Sequence, residues 1–325
     1  MSQVVLVTGG AGYIGSHACK ALAKAGFTPV TFDNLSRGSR DAVRWGPFEH
    51  GDVLDRVRLD QVLETYKPVA AMHFAAFAYV GESVREPGRY YRNNVVGTLT
   101  LLQALLGNGV NRFVFSSSCA IYGSPESIPI SEATDPHPVN PYGRTKWFSE
   151  QIIRDFGNAH DLRWMALRYF NAAGSDPDCE IGENLGLEPR IIPRAIAAAL
   201  GQVAPLKIFG DDYDTPDGTC IRDYIHVCDI AAAHVRSLEF LMEDRQSQAL
   251  NLGTGRGYSI RKVIETIEKI SGKPVPVEFA PRRQGDPAIL VADPKNANQV
   301  LGWKPRFADL ADSIRTALAW REKLN

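Results

Sequence analysis

No uninterrupted apolar run in these 325 residues approaches the roughly 20 that a bilayer-spanning helix needs, because charge or glycine breaks the longest candidates. That excludes a helical membrane anchor, and no membrane partner is expected. Basic blocks interleaved with aromatics are missing as well. Lys+Arg (36) nearly cancels Asp+Glu (37), which removes the electrostatic footprint of a nucleic-acid binder. Ser2-Gln3 runs straight into Val4-Val5-Leu6-Val7 without a basic leader or a small-residue cleavage site, so the expectation is a cytoplasmic protein. Cysteine is scarce: Cys19, Cys119, Cys179, Cys220 and Cys228 form no CxxC pair, and an odd, scattered set reads as reduced thiols with neither a disulfide nor a metal site. A Pro/Ser linker and internal repeats are also lacking, which argues against a string of modules.

What is present is a large hydrophobic fraction, 44%, enough for a substantial core. Short β-branched runs at 4–8, 29–33, 69–75, 112–117 and 164–170 alternate with helically spaced segments such as Leu99, Leu102 and Leu106. Continuous apolar strands separated by helices predict an α/β fold with a doubly wound parallel sheet covered on both faces. After about residue 171 the pattern loosens into Asp-, Gly- and Pro-rich stretches with helices at 191–200, 228–242, 259–271 and 308–322. The expected division is 1–171, joined by about 222–245, with 172–325 as a smaller α/β substrate-binding domain packed across the strand ends. A cleft then lies at the carboxyl edge of the sheet.

Directly after the first strand stands Thr8-Gly9-Gly10-Ala11-Gly12-Tyr13-Ile14-Gly15, followed by an amphipathic helix. Glycine suits this place because the turn is tight and the backbone must approach a pyrophosphate closely at a helix N-terminus with free N–H groups. Strand, loop and helix together give the Rossmann-type dinucleotide fingerprint, where a bare βα turn would give only the turn. Asp33, at the end of the second strand, suits adenosine ribose hydroxyls and repels a 2′-phosphate, which favours NAD. Arg37 and Arg40 keep NADP open, since a guanidinium can pair with that phosphate. Asp52 either meets the adenine or caps a helix.

Tyr142 and Lys146 lie four apart in NPYGRTK at a predicted helix start, so both side chains share one face. A tyrosine of ordinary pKa near 10 is a poor base at neutral pH, but an adjacent ammonium and an oxidised nicotinamide both favour the phenolate. Ser118, ending the 112–117 strand, is placed to share a substrate hydroxyl with Tyr142, while Ser116 and Ser117 read as structural. Tyr-x-x-x-Lys recurs by chance, and a surface pair is its plain explanation. The glycine loop upstream and the serine-rich strand end between them point instead to a catalytic site.

In order and spacing TGGAGYIG (8–15), Asp33-Asn34, HFAA (73–76), Asn93-Asn94, SSSCAIYG (116–123), PYGRTK (141–146), RYFNAAG (168–174) and RDYIHV (222–227) resemble the UDP-glucose 4-epimerases, of the extended short-chain dehydrogenase/reductase type. The likeness runs over essentially the whole chain. It implies an isomerase that takes a hydride from sugar C4 onto tightly held NAD, lets the 4-keto sugar turn over, and returns the hydride to the opposite face. It makes Tyr142 the acid/base, Ser118 its partner and Lys146 the tuner. NAD contacts fall to Gly9, Gly12, Tyr13, Ile14, Gly15, Asp33, Asn34, Asp52, Val53, Phe74, Ala75, Ala76, Asn93, Lys146 and Phe170. The UDP-sugar, which Ser118 and Tyr142 also touch, is assigned Asn171, Phe209, Arg222, Arg283, Asp286 and Leu290. Two guanidiniums suit a diphosphate and a carboxylate suits ribose hydroxyls. Arg282-Arg283 as a solvated pair and Arg222-Asp223 as an internal ion pair are the plain alternatives. The resemblance also implies a homodimer, with helices at 88–107 and 142–157 forming the contact.

The chain departs from the familiar pattern at Ala78, where galactose-pathway relatives carry a lysine beside the cofactor. Its AYVGES stretch (78–83) looks closer to epimerases of exopolysaccharide pathways and to UDP-arabinose/UDP-xylose 4-epimerases, so a pentose substrate stays open. Leu290 stands where tyrosine restricts and cysteine permits an N-acetyl group, which leaves N-acetylated sugars open too. A nucleotide-sugar dehydratase would place Asp-Glu where Cys119-Ala120 stands, and a UDP-glucuronate decarboxylase would place a glutamate there. A non-catalytic NAD-sensing regulator would lack part of the Ser-Tyr-Lys trio, which is complete here.

Overall fold

The computed structural model describes residues 2–184, 190–283 and 285–324. Its strands, in chain order, are β1 (Val4–Thr8), β2 (Thr28–Asp33), β3 (Phe48–His50), β4 (Ala70–His73), β5 (Arg112–Ser118), β6 (Arg163–Tyr169), β7 (Asn171–Ala173), β8 (Leu206–Phe209), β9 (Ile221–His226), β10 (Gln248–Leu252), β11 (Gly257–Ser259), β12 (Val277–Ala280) and β13 (Ile289–Leu290). Seven of them form one sheet in the order β10-β6-β5-β4-β1-β2-β3, every neighbouring pair parallel.

The strand residues alternate between two cores because successive side chains leave a strand on opposite faces. Val5 and Val7 face a core with Leu22, Met72, Leu167 and Leu238, under helices Tyr13–Lys24 and Val227–Met242. Leu6 faces Phe32, Leu59, Leu102, Phe113 and Ile153, under helices Arg56–Tyr66, Gly97–Gly107 and Pro141–Ala159. In register, Thr8 of β1 stands opposite Phe32 of β2 and His73 of β4. Chain order reverses between β1 and β4, so the loops leaving these strands diverge and open a crevice.

The return of the chain to this sheet differs from the expected 222–245. β9 joins the smaller sheet instead, and the return comprises helix Val227–Met242 and β10, where Leu250 and Leu252 bury against β6 and close the sheet edge. In the smaller part β9 pairs with β7, β11 and β13, while β8 pairs with β12. Helices Ile191–Ala199, Ile260–Ser271 and Leu310–Lys323 pack there around Ile192, Ile196, Val263, Ile267 and Ile314. Two of these begin after the expected residue because the polar residue in front is the cap: Ser259 accepts from the Lys262 N–H and Asp309 from the Ala311 N–H. Among the described residues no helix is long and apolar enough to cross a membrane.

His17, His73, His226 and His234 are buried, and burial lowers their pKa values to about 4, 3, 3 and 4. In an unfolded chain each would titrate near 6.5. Between these limits the unfolded state binds more protons, so stability present above pH 6.5 is lost as pH falls toward 4, at most about 1.4 kcal/mol per pH unit for each histidine. Melting temperature is therefore expected to drop steeply from pH 7 to pH 5. An unchanged melt over that range would mean that these imidazoles are not held neutral.

Candidate active site

The loop after β1 closes only with glycine. Gly9 has φ +75°, and a Cβ there would sit 2.5 Å from the Ala75 nitrogen, while a Cβ on Gly15 would sit 2.2 Å from the Gly9 carbonyl oxygen. The first main-chain bond of the following helix runs from Ser16 N–H to the Gly12 carbonyl at 3.0 Å, so the N–H groups of Tyr13, Ile14 and Gly15 precede the intrahelical ladder. Such an end, approached without a Cβ in the way, fits a dinucleotide pyrophosphate. The Tyr13 and Ile14 side chains turn away: the Tyr13 hydroxyl donates to the Gly174 carbonyl at 2.6 Å, and Ile14 packs on the core.

One cleft is lined by Gly9, Gly12, Asp33, Asn34, Val53, Phe74, Ala75, Ala76 and Asn93, all expected from the sequence. Asp33 is buried and accepts from the Ala11 and Leu35 N–H groups at 3.0 and 2.8 Å. Burial raises its pKa, and those two N–H groups oppose the rise. Asp52 accepts from Asn34 Nδ2 and the Leu54 N–H, and the next helix is capped by Asp55 instead. The helix run at 88–107 is present but contains a widened turn, Tyr91–Val96. That turn puts Asn93 on the cleft, while Asn94 ties the Phe77 main chain to Thr145. Arg37, one of the two arginines that keep NADP open, and Phe77 also line the cleft, while Arg40 lies over Phe48, 4.6 Å from its ring centre.

Two members of the trio expected to be catalytic, Ser118 and Tyr142, are brought together by one close approach. Asn140 caps helix Pro141–Ala159 by accepting from the Gly143 N–H at 2.9 Å, and Pro141 occupies the first turn. A Cβ on Gly143 would lie 2.4 Å from the Ala120 carbonyl oxygen. Glycine thus lets the helix start press on the segment after β5 and sets Tyr142 beside Ser118. Tyr142 is buried, with Phe77 and Tyr90 packed on it, so it adjoins the cofactor cleft. Burial raises its pKa, the Ser118 hydrogen bond lowers it, Cys119 raises it and the Arg190 charge lowers it. Arg190, which no motif flagged, sits with its guanidinium 5.1 Å from the Tyr13 ring centre and 2.5 Å from Glu183.

Lys146 is also buried, and its ammonium donates to the Ser116 carbonyl at 2.6 Å, 4.8 Å from the Phe115 ring centre. Burial pulls its pKa down to about 7, against the pull of Glu150. Ser116 and Ser117 are occupied structurally, bonded to the Tyr169 hydroxyl and to Glu150.

The smaller sheet carries the residues assigned to UDP. Asn171 on β7 stands opposite Tyr224 of β9, and Leu290 on β13 opposite Arg222. Arg222 is buried and bonds Asp286 at 2.5 Å, and the Arg283 guanidinium lies 3.9 Å from the Phe209 ring centre. The Arg222-Asp223 ion pair does not form, because Asp223 accepts instead from Thr254, Gly255 and Ala292. Arg282 is exposed and pairs with the exposed Asp212, while Arg283 turns to the Phe209 ring. Phe170 and Leu290 pack together against Cys119 and Ile121, the turn that follows Ser118, which joins the two halves of the site. The clustered carboxylates Asp176, Asp178 and Glu180 are occupied by the Lys20 ammonium at 2.7, 2.9 and 2.5 Å.

The model of the NAD dependent epimerase/dehydratase family matches residues 5–253. The UDP-glucose 4-epimerase of Rhizobium leguminosarum bv. trifolii is 54% identical over 323 residues, covering 99% of this chain and 98% of that protein. Among solved structures, the UDP-glucose 4-epimerase of Brucella ovis in complex with NAD superposes with a TM-score of 0.95 at 53% identity, covering 98% of each chain. The Stenotrophomonas maltophila UDP-glucose-4-epimerase with bound NAD and formylated UDP-arabinopyranose gives 0.95 at 40% identity, covering 99% of this chain and 98% of that one. The glycine loop, the buried Ser-Tyr-Lys trio and these likenesses along the whole chain agree, and the chain belongs to the NAD dependent epimerase/dehydratase family, among its UDP-glucose 4-epimerases.

Proposed function

We infer that this NAD-dependent enzyme inverts C4 of UDP-glucose and UDP-galactose with Tyr142 as the proton-transfer group. The observation that carries the assignment is the buried Ser118–Tyr142 hydroxyl pair, with Phe77 of the glycine-loop cleft packed on Tyr142. Bound NAD supplies the hydride acceptor for C4. Tyr142 takes the proton from the sugar 4-hydroxyl, with Ser118 bridging the same oxygen, and gives it back after the 4-keto sugar has presented its other face. Lys146, four residues along the same helix, supplies the cation that favours the phenolate, and Arg190 supplies charge toward Tyr142. Arg222 and Arg283 hold the diphosphate, Asp286 the ribose hydroxyls and Phe209 the uracil face.

A pentose substrate is the second reading, favoured by the UDP-arabinopyranose derivative bound in the Stenotrophomonas neighbour. NMR of the purified enzyme with UDP-galactose and, separately, UDP-arabinose, without added cofactor, distinguishes them. UDP-glucose formed faster than UDP-xylose is the expected result, and it also shows that NAD is retained. The reverse order transfers the assignment to pentoses, and silence in both even after NAD is added defeats the reading. For assembly, exposed Phe148 and Val96, with Tyr91 6.1 Å from Phe148 by ring centres, support a homodimer built on helices 87–107 and 141–159.

A further inference from the structure

Arg37 follows β2, and Glu82 belongs to the short helix Val80–Arg85 that follows β4. In the sheet β1 lies between these two strands. A bond joining Arg37 to Glu82 therefore links the two loops on either side of the glycine loop that leaves β1. The Arg37 Nη2 donates to both carboxylate oxygens of Glu82, at 2.6 and 2.7 Å. Its guanidinium also rests against two rings of the β4 loop, 5.5 Å from the centre of Phe77 and 5.1 Å from that of Tyr79. Arg37 and Phe77 line the same cleft as Gly9 and Asp33.

The two ends of the bridge are unlike. Glu82 is fixed from below, with its side chain 13% exposed, Arg89 at 2.9 Å and the Tyr90 hydroxyl at 2.9 Å. The Arg37 side chain is 26% exposed and stands on a loop that, among the described residues, makes no other ion pair. The movable arm is thus the arginine and the anchor is the glutamate.

We propose that Arg37 and Glu82 form a strap across the adenosine end of the cofactor cleft, which slows NAD release and keeps the Arg37 guanidinium from a 2′-phosphate. Asp33 repels that phosphate from the ribose side, and Glu82 engages Arg37, the cation that lines the cleft among the described residues and would attract it. Because the strap is a partly exposed ion pair, added salt weakens it.

The test uses the holoenzyme and its R37A and E82Q variants, with released NAD trapped by a hydrolase and the NAD left on the protein extracted and counted. NAD release about tenfold faster in both variants, equivalent to about 1.4 kcal/mol, with salt accelerating release from the parent enzyme but not from R37A, is the expected result. Release at the parent rate in R37A overturns the strap, and R37A carries this arm because it leaves the Glu82 contacts to Arg89 and Tyr90 in place. In cofactor-stripped protein, titrated with NAD and NADP separately, E82Q is expected to shift the ratio of affinities about tenfold toward NADP, and E82Q with R37A is not. An unchanged ratio in E82Q, or an equal shift in the double variant, overturns the role in discrimination. Neither readout passes through sugar turnover, so its failure is separate from failure of the epimerase assignment.

Discussion

Tyr142→Phe is expected to lower turnover by about 10²–10⁴-fold while NAD stays bound. The ring fits the same pocket against Phe77 and Tyr90, so what is removed is the hydroxyl proposed to move the proton. Ser118→Ala is expected to slow the chemical step more than it weakens UDP-sugar binding, because the proposed mechanism puts Ser118 on the reacting hydroxyl and not on the diphosphate. Single-turnover reduction of bound NAD by UDP-galactose, compared with UDP-sugar affinity measured separately, reads both. A Tyr142→Phe enzyme that reduces bound NAD at the parent rate would remove Tyr142 from the mechanism.

The same residues show why part of the site is legible in the sequence. Tyr142, Lys146 and the glycine loop are local: their spacing along one helix or one turn fixes their geometry, and cap and close-approach glycines such as Gly143 accompany them. The strands of the large sheet are legible because burial on both faces writes each as a continuous apolar run. Arg190 was not legible, because its action on Tyr142 depends on how the smaller part folds over the first. The same holds for Glu82, which meets Arg37 across 45 positions through the strand order β4-β1-β2. The Arg222-Asp223 pair, the plain alternative to a substrate role for Arg222, fails for the opposite reason. Beside Arg222 in sequence, Asp223 alternates to the other face of β9 and is used by the 254–255 turn.

Beneath the trio lies the interaction whose loss is expected to cost the most stability. Glu150 occupies the helix face that carries Tyr142 and Lys146, two turns below the first, and is 2% exposed. Arg168 of β6, 4% exposed, reaches it with Nε at 3.1 Å and Nη2 at 2.7 Å, and spends Nη1 on the Tyr122 hydroxyl at 2.9 Å, which in turn donates to Asn251. Glu150→Ala leaves a guanidinium that cannot deprotonate buried without its anion, a loss of about 3–5 kcal/mol, or on the order of 10 °C in melting temperature. Replacing both partners, Glu150→Leu with Arg168→Met, is expected to recover most of that loss, because no charge is then left unpaired. The catalytic consequence is separable from the structural one. Glu150 is the group that opposes the burial-driven fall of the Lys146 pKa, so the double variant, though folded, should lose the Lys146 charge at a lower pH than the parent. Its turnover should therefore fall off earlier on the alkaline side. A Glu150→Ala protein that melts with the parent would show that the pair does not hold helix Pro141–Ala159 to the sheet, and a double variant with the parent pH profile would free Lys146 from its dependence on Glu150.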